Sequence, residues 1–199
     1  MPNIIIVCGL PGSGKTTLAT ALSKRLGWVC FHKDTIKESL YDSMGFSTLE
    51  DSKYLGAISM RLLFDLAQEQ LARNIDLIVE APFNFESDYP TIRQWERDYG
   101  CAIYTVICSV DDQARTQRVA DRPRHASHHD ADRSFNLGDE KVYERIPGKH
   151  INIVTSQSVE VLVEKVIDDL LISDIEKARL QVKKGEVVSQ EQVLKQFGV

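Results

Sequence analysis

The sequence predicts a three-layer α/β domain, in which a five-stranded parallel sheet is covered by helices on both faces and carries a phosphate-binding loop after its first strand. Three observations lead there. Five short apolar runs alternate with stretches of helical period, and strands separated by helix-length connections need right-handed crossovers, hence parallel order. Residues 9–16 read Gly-Leu-Pro-Gly-Ser-Gly-Lys-Thr, the pattern G-x-x-x-x-G-K-[ST], placed between an apolar strand and an amphipathic helix. The 199 residues, 43% apolar and 27% charged, suit one globular domain with a sizeable core.

The first strand is the β-branched run Asn3-Ile4-Ile5-Ile6-Val7-Cys8, and Leu18, Ala19, Leu22 and Leu26 then recur at helical spacing. Between them the glycines Gly9, Gly12 and Gly14 bring backbone N–H groups onto phosphate oxygens at the positive end of the helix. The nucleotide-binding set is Gly9, Leu10, Pro11, Gly12, Ser13, Gly14, Lys15, Thr16 and Thr17. Lys15 would reach the β- and γ-phosphates, and the Thr16 hydroxyl would take a position around Mg²⁺.

The second strand, residues 28–32, ends in His32-Lys33-Asp34. A carboxylate there, facing the phosphate loop, suits a general base for a hydroxyl attacking the γ-phosphate. Asp34 equally suits the N-cap of a helix over 35–44. Lys37 lies near the same helix end, placed to pair with Asp34 or to hold an anionic acceptor group. A helix over 52–73 presents Leu55, Ile58, Leu62, Leu66 and Leu71 on one face.

The third strand, residues 76–81, contains Glu80, a second carboxylate for Mg²⁺ or its water shell. Pro82-Phe83-Asn84-Phe85 follows, and its aromatics and amide make Phe83 and Asn84 acceptor-binding candidates at the rim. A short helix over 88–99 and a strand over 101–108 come next. Arg115, Arg118 and Arg122 then fall at i, i+3 and i+7, with Arg124 beyond. A face of guanidiniums near a phosphate site reads as a lid over about 115–135 that neutralises the transferring group; a solvated helix is the plain alternative. His125, His128, His129 and Asp130 read as polar lid residues. The last strand, 150–155, and a helix bearing Val159, Leu162, Val163, Val166 and Leu170 complete a core over 1–172.

After Ile172 the pattern changes. Residues 174–184 are a charged helical stretch ended by Gly185, and Ser189-Gln190-Glu191-Gln192 is a capping box opening a last short helix. The segment 173–199 is thus expected to be a helical C-terminal extension, packed on the core or used for self-association.

Cys8, Cys30, Cys101 and Cys108 contain no C-x-x-C pair and lie in or beside apolar runs, as buried reduced thiols of a cytoplasmic protein would. The first apolar run is cut by Pro11 and Gly12, which argues against a signal peptide or a membrane span. A formal charge of −5 counts against a nucleic-acid coat.

The phosphate loop, the strand-end Asp34-Thr35-Ile36-Lys37, Glu80, Arg118-x-x-x-Arg122 and Arg124-His125-x-x-His128-x-Asp130 together resemble the small P-loop kinases of the AAA-type ATP-binding group. These include polynucleotide 5′-hydroxyl kinases, chloramphenicol phosphotransferases and zeta toxins. The resemblance spans about residues 3–172. It implies a nucleotide-kinase core of the P-loop NTPase fold, ATP with Mg²⁺ as donor and a hydroxyl acceptor. By those motifs Lys15 and Thr16 bind phosphate and metal, Asp34 is the base, and Arg118 and Arg122 are lid arginines. The expected activity is phosphoryl transfer from ATP to a small-molecule hydroxyl. Its rivals are a polynucleotide 5′-hydroxyl kinase, which needs a basic groove, and an ATP-dependent switch that phosphorylates nothing. The GTPase motif Asn-Lys-x-Asp is absent, which favours ATP.

Overall fold

A computed structural model of the chain describes residues 1–45, 48–121, 123, 125–128 and 140–183. Five strands, β1 (Asn3–Cys8), β2 (Val29–His32), β3 (Leu77–Glu80), β4 (Ala102–Ser109) and β5 (Lys149–Val154), form one sheet in the order β2-β3-β1-β4-β5. Every neighbouring pair is parallel, with Ile4 opposite Leu77 on one side and Ile103 on the other. The helices are α1 (Lys15–Leu26), α2 (Lys33–Met44), α3 (Leu49–Ala72), α4 (Tyr89–Tyr99), α5 (Asp112–Asp121) and α6 (Val159–Lys183). Short 3-10 turns lie at Glu86–Asp88, Ala126–His128 and Glu140–Arg145.

This is the α/β arrangement the sequence predicts. The chain leaves β1 toward β2 and later crosses β1 to reach β4, so the order reverses at β1 and a crevice opens outside its carboxyl end. The phosphate loop lies there. Ile4, Ile5, Ile6, Val7 and Cys8 are all fully buried, which explains why β1 is apolar without alternation. Ile4, Ile6 and Cys8 share a core cluster with Leu63, Ala67, Leu71, Phe83, Ile92 and Trp95.

Helix α3 differs from expectation in which side it buries. Its inward stripe is Ser52, Leu55, Ser59, Leu63, Ala67 and Leu71, while Leu62 is 37% exposed. Two serines sit in the stripe because each finds an acceptor, one within the helix and one on a distant segment: Ser59 Oγ donates to Leu55 O at 2.5 Å and Ser52 Oγ to Ser127 O at 2.6 Å. Read by apolar period alone, the face rotates toward Ile58 and Leu62. A reciprocal capping box starts the helix, with Thr48 Oγ1 accepting from Asp51 N and Asp51 Oδ2 from Thr48 N.

The structure divides into a unit over Met1–Val163 and a second over Glu164–Val199. Helix α6 runs unbroken through Ile172, where the sequence pattern changes, to Lys183. Residues 184–199, with the predicted terminal capping box, lie outside the described residues. No helix among the described residues is long and apolar enough to cross a membrane. The four cysteines are free, and burial pushes the thiols of Cys30 and Cys108 up to about 12, so both remain protonated and unreactive at neutral pH.

Candidate functional site

The loop between β1 and α1 is built to leave room. Gly9 has φ 142°, and a Cβ there would lie 2.4 Å from the carbonyl oxygen of Cys108. Gly14 is the N-cap of α1 in the left-handed region, at φ 83°, and gives the helix no side-chain cap. No acidic residue stands in the first turn. The N–H groups at the start of α1 therefore lack a side-chain acceptor from the chain's own cap or first turn, and an anion suits them. Ser13 Oγ is buried with no hydrogen-bond partner among the described residues, a further polar atom at this loop left for a ligand.

Lys15 is 8% exposed and its ammonium faces Glu80 Oε1 at 3.9 Å. Glu80 closes β3, opposite Val7 of β1 and His32 of β2, so the register of three strands brings it beside the loop. Its other oxygen accepts from His32 Nδ1 at 3.0 Å; an ionised carboxylate only accepts, so the hydrogen is on Nδ1. With donors, an ammonium, a hydroxyl at Thr16 and a carboxylate at Glu80, the cradle fits a polyphosphate and the oxygen-seeking Mg²⁺ that accompanies it.

Asp34 stands two residues past the end of β2. The helix begins two residues earlier than expected, with His32 as N-cap, so Asp34 is the second residue of α2 and not its cap. Burial raises its carboxyl pKa, but Lys33, His128 and Lys15 outweigh burial and hold it below the ordinary value. Lys33 Nζ lies 3.3 Å from Asp34 Oδ1. Lys37, expected near an acceptor, is 1% exposed, and its ammonium donates to Ser52 Oγ at 2.8 Å.

The loop after β3 separates its two aromatics. Phe83, expected at the rim, is 1% exposed and packs against Phe64 in the core, holding φ at 46°. Such a backbone is strained for an aromatic residue, by about 1–3 kcal/mol. Asn84 and Phe85 are the exposed pair at this rim, Phe85 at 64%.

Among the described residues, Arg115 and Arg118 each bond to partners within the chain. Arg115 is buried and its guanidinium donates to Asp112 Oδ1 at 3.0 Å. Arg118 reaches sideways to Thr155, donating to Oγ1 at 3.0 Å and to the carbonyl at 2.8 Å. Thr155 Oγ1 in turn donates to Ser13 O of the loop at 2.8 Å. Arg118, Thr155, Gly14, Thr17, Leu18, Gln157, Val159 and Leu162 line a cleft of about 300 Å³. Sequence reading passed over Thr155 and Gln157, since nothing in their spacing marks them; the cleft exists because β5 ends beside α1. Arg122, Arg124, His129 and Asp130 lie outside the described residues.

The profile of the AAA domain family matches residues 4–137, from β1 through the arginine-bearing segment. The chain belongs to the AAA domain family. Among solved structures, this AAA-domain chain is similar to a putative kinase from Chloroflexus aurantiacus. The TM-score is 0.71 at 25% identity, covering 84% of this chain and 97% of that one. It is also similar to the APS kinase of Mycobacterium tuberculosis in complex with AMPPNP and APS (TM-score 0.59, 21% identity, 85% and 97% covered). A third likeness is to shikimate kinase from Aquifex aeolicus (TM-score 0.58, 19% identity, 86% and 98% covered). The fold is thus shared with small P-loop kinases. No curated protein sequence matches the chain significantly.

Proposed function

We propose that the chain is an ATP-dependent phosphotransferase that moves the γ-phosphoryl group to a hydroxyl of a small molecule, with Mg²⁺ required. One observation carries this reading: the Lys15 ammonium faces Glu80 at 3.9 Å and is also among the charges that keep Asp34 ionised. Lys15 is therefore the neighbour that links the phosphate cradle and the metal-side carboxylate to the base candidate in this reading. The likeness in fold to kinases of small hydroxyl-bearing molecules supports it, with APS and shikimate as the acceptors those enzymes' names give.

The loop N–H groups and Lys15 bind the phosphates and neutralise charge that builds on the transferring group. Thr16 and Glu80 would hold Mg²⁺, which would supply further neutralisation of the phosphate charge. His32 holds Glu80 from behind. Asp34, ionised, accepts the acceptor's hydroxyl hydrogen and aims its oxygen at phosphorus. A carboxylate held this low is a weak base, so it orients the hydroxyl first and takes the proton late, when bonding to phosphorus has made it acidic. The cleft beside Arg118 and Thr155 takes the nucleoside end of ATP. Phe85 and Asn84 at the rim, with Asp34, face the acceptor.

The deciding experiment offers γ-labelled ATP and Mg²⁺ with panels of sugar acids, cyclitols, aminoglycosides, phenicols, nucleosides, hydroxyl-ended oligonucleotides and tRNA. Label on one small-molecule panel is the expected result. Label on oligonucleotides alone, or on nothing, overturns the small-molecule reading.

A further inference from the structure

Asp34, Glu38 and Asp42 fall at i, i+4 and i+8 of α2 and form one carboxylate stripe. Like charges a turn apart destabilise a helix unless something answers them. Lys33 answers Asp34, and the turn at 125–128 answers the other two. His128 Nε2 lies 2.8 Å from Glu38 Oε1, and His125 Nε2 lies 3.1 Å from Asp42 Oδ1, with the His125 ring edge-on to Tyr41 at 5.7 Å. Between the two imidazoles, Ser127 is fully buried and its carbonyl accepts from Ser52 Oγ at 2.6 Å. Ser52 Oγ itself accepts from Lys37 Nζ. The turn is thus fastened to α2 at both ends and to α3 in the middle.

His125 Nδ1 lies 3.2 Å from Ser127 N and 3.1 Å from Ser127 Oγ, while its Nε2 faces Asp42. His128 faces Glu38 and its charge also acts on Asp34.

We propose that His128 is a positioning residue: paired with Glu38, it docks the 125–128 turn onto the carboxylate stripe of α2 and holds a positive charge beside Asp34. The importance of that charge to phosphoryl transfer rests on the kinase reading above; the docking itself does not. Among the described residues, the charged groups facing the turn are Glu38 and Asp42, with Asp34 and its partner Lys33 a helical turn away, and α3 contributes the Ser52 hydroxyl, bonded to Lys37. When His128 loses its proton as pH rises, the ion pair gives way to a neutral imidazole N–H donating to the Glu38 carboxylate, and the docking weakens.

The test compares amide hydrogen exchange of residues 126–128, corrected for intrinsic rates, at acid-side and alkaline-side pH in the full chain, His128→Gln, Glu38→Gln and the double variant. Expected is a loss of protection in the unsubstituted chain as pH rises. Each single variant should lose about threefold to tenfold protection at the lower pH and show no further pH step, with the double variant no worse than the weaker single. Unchanged protection in either single variant, an undiminished pH step in Glu38→Gln, or an equal loss throughout α2 and α3 overturns the proposal. In parallel, His128→Gln should keep its affinity for AMPPNP while kcat for the labelled acceptor falls about threefold or more; affinity and kcat falling together overturns the positioning role. If the exchange results hold and no acceptor is ever labelled, the kinase reading fails and the docking stands.

Discussion

Arg118 is bound to Thr155 through both the side-chain hydroxyl and the main-chain carbonyl, and Thr155 is bound to the carbonyl of Ser13 in the phosphate loop. This ties α5, the end of β5 and the loop into one hydrogen-bonded chain, and it places the guanidinium beside the cleft after β5.

The first prediction follows from that link. Arg118→Ala removes a wall of the cleft and two charge-assisted hydrogen bonds, so ATP should bind roughly tenfold more weakly while kcat stays within about twofold. Thr155→Val, which removes the shared hydroxyl, should move affinity in the same direction. Titration with a fluorescent ATP analogue beside steady-state kinetics checks both. A fall in kcat at unchanged affinity would return Arg118 to the transferring phosphoryl group.

Lys15→Ala should reduce phosphoryl transfer by about a hundredfold or more, because no other side chain of the loop carries positive charge. Glu80, buried beside it, would keep only His32 from the pair now answering it. A lower Tm is therefore expected as well, and circular dichroism separates that loss from unfolding. Turnover equal to that of the unsubstituted chain would defeat the mechanism.

The structure also changes what Asp34→Asn tests. Asp34 is the second residue of α2, so its amide analogue forfeits a favourable charge near the helix start, worth about 0.3–1 kcal/mol, together with the ion pair to Lys33. Transfer should fall by about 10²–10⁴-fold, since Asn cannot accept the proton. Near-normal turnover in the Asn variant would remove the base assignment. The pH sense is also fixed. A carboxyl held below its ordinary value adds stability above the unfolded pKa, and this is lost as pH falls through the folded value. Asp34 therefore weakens the fold only on the acid side of about pH 4.

What the sequence made legible follows from which signals are local. The phosphate loop was readable because its chemistry is written in eight consecutive residues between a strand and a helix. Glu80 was readable because a strand end is a position that sequence can find. Phe83 and Phe85 carry the same pattern, and only the left-handed backbone at Phe83, fixed by the surrounding core, sends one inward and the other out. The buried face of α3 was hidden by Ser52 and Ser59, whose partners lie partly on another segment. Glu38 and Asp42 were one helical turn apart, and His125 and His128 three residues apart. Nothing local says that the two pairs meet 90 residues apart in the chain, as His128 and Glu38 do.

The last prediction concerns Asp88, at the start of α4. Burial pushes its carboxyl up to about 6, and Oδ2 has no hydrogen-bond partner among the described residues. The folded chain therefore holds this proton over a range where the unfolded chain, with a pKa of about 3.9, has released it. Unfolding then releases a proton between about pH 4 and 6, so stability falls as pH rises across that window and levels off above it. This is opposite in sign to Asp34 and occupies a different pH range. Asp88→Asn replaces the carboxyl with a group that never ionises, and the side chain makes no capping bond that the change would break. At pH 7 the variant should exceed the unsubstituted chain by on the order of 1 kcal/mol, after allowance for partial solvent screening. Near pH 4 the two should match, because the Asp carboxyl is then protonated in the folded chain. Urea unfolding at both pH values measures this directly. Equal stability at pH 7 would mean that water reaches Oδ2, and that the start of α4 bears no electrostatic cost from Asp88.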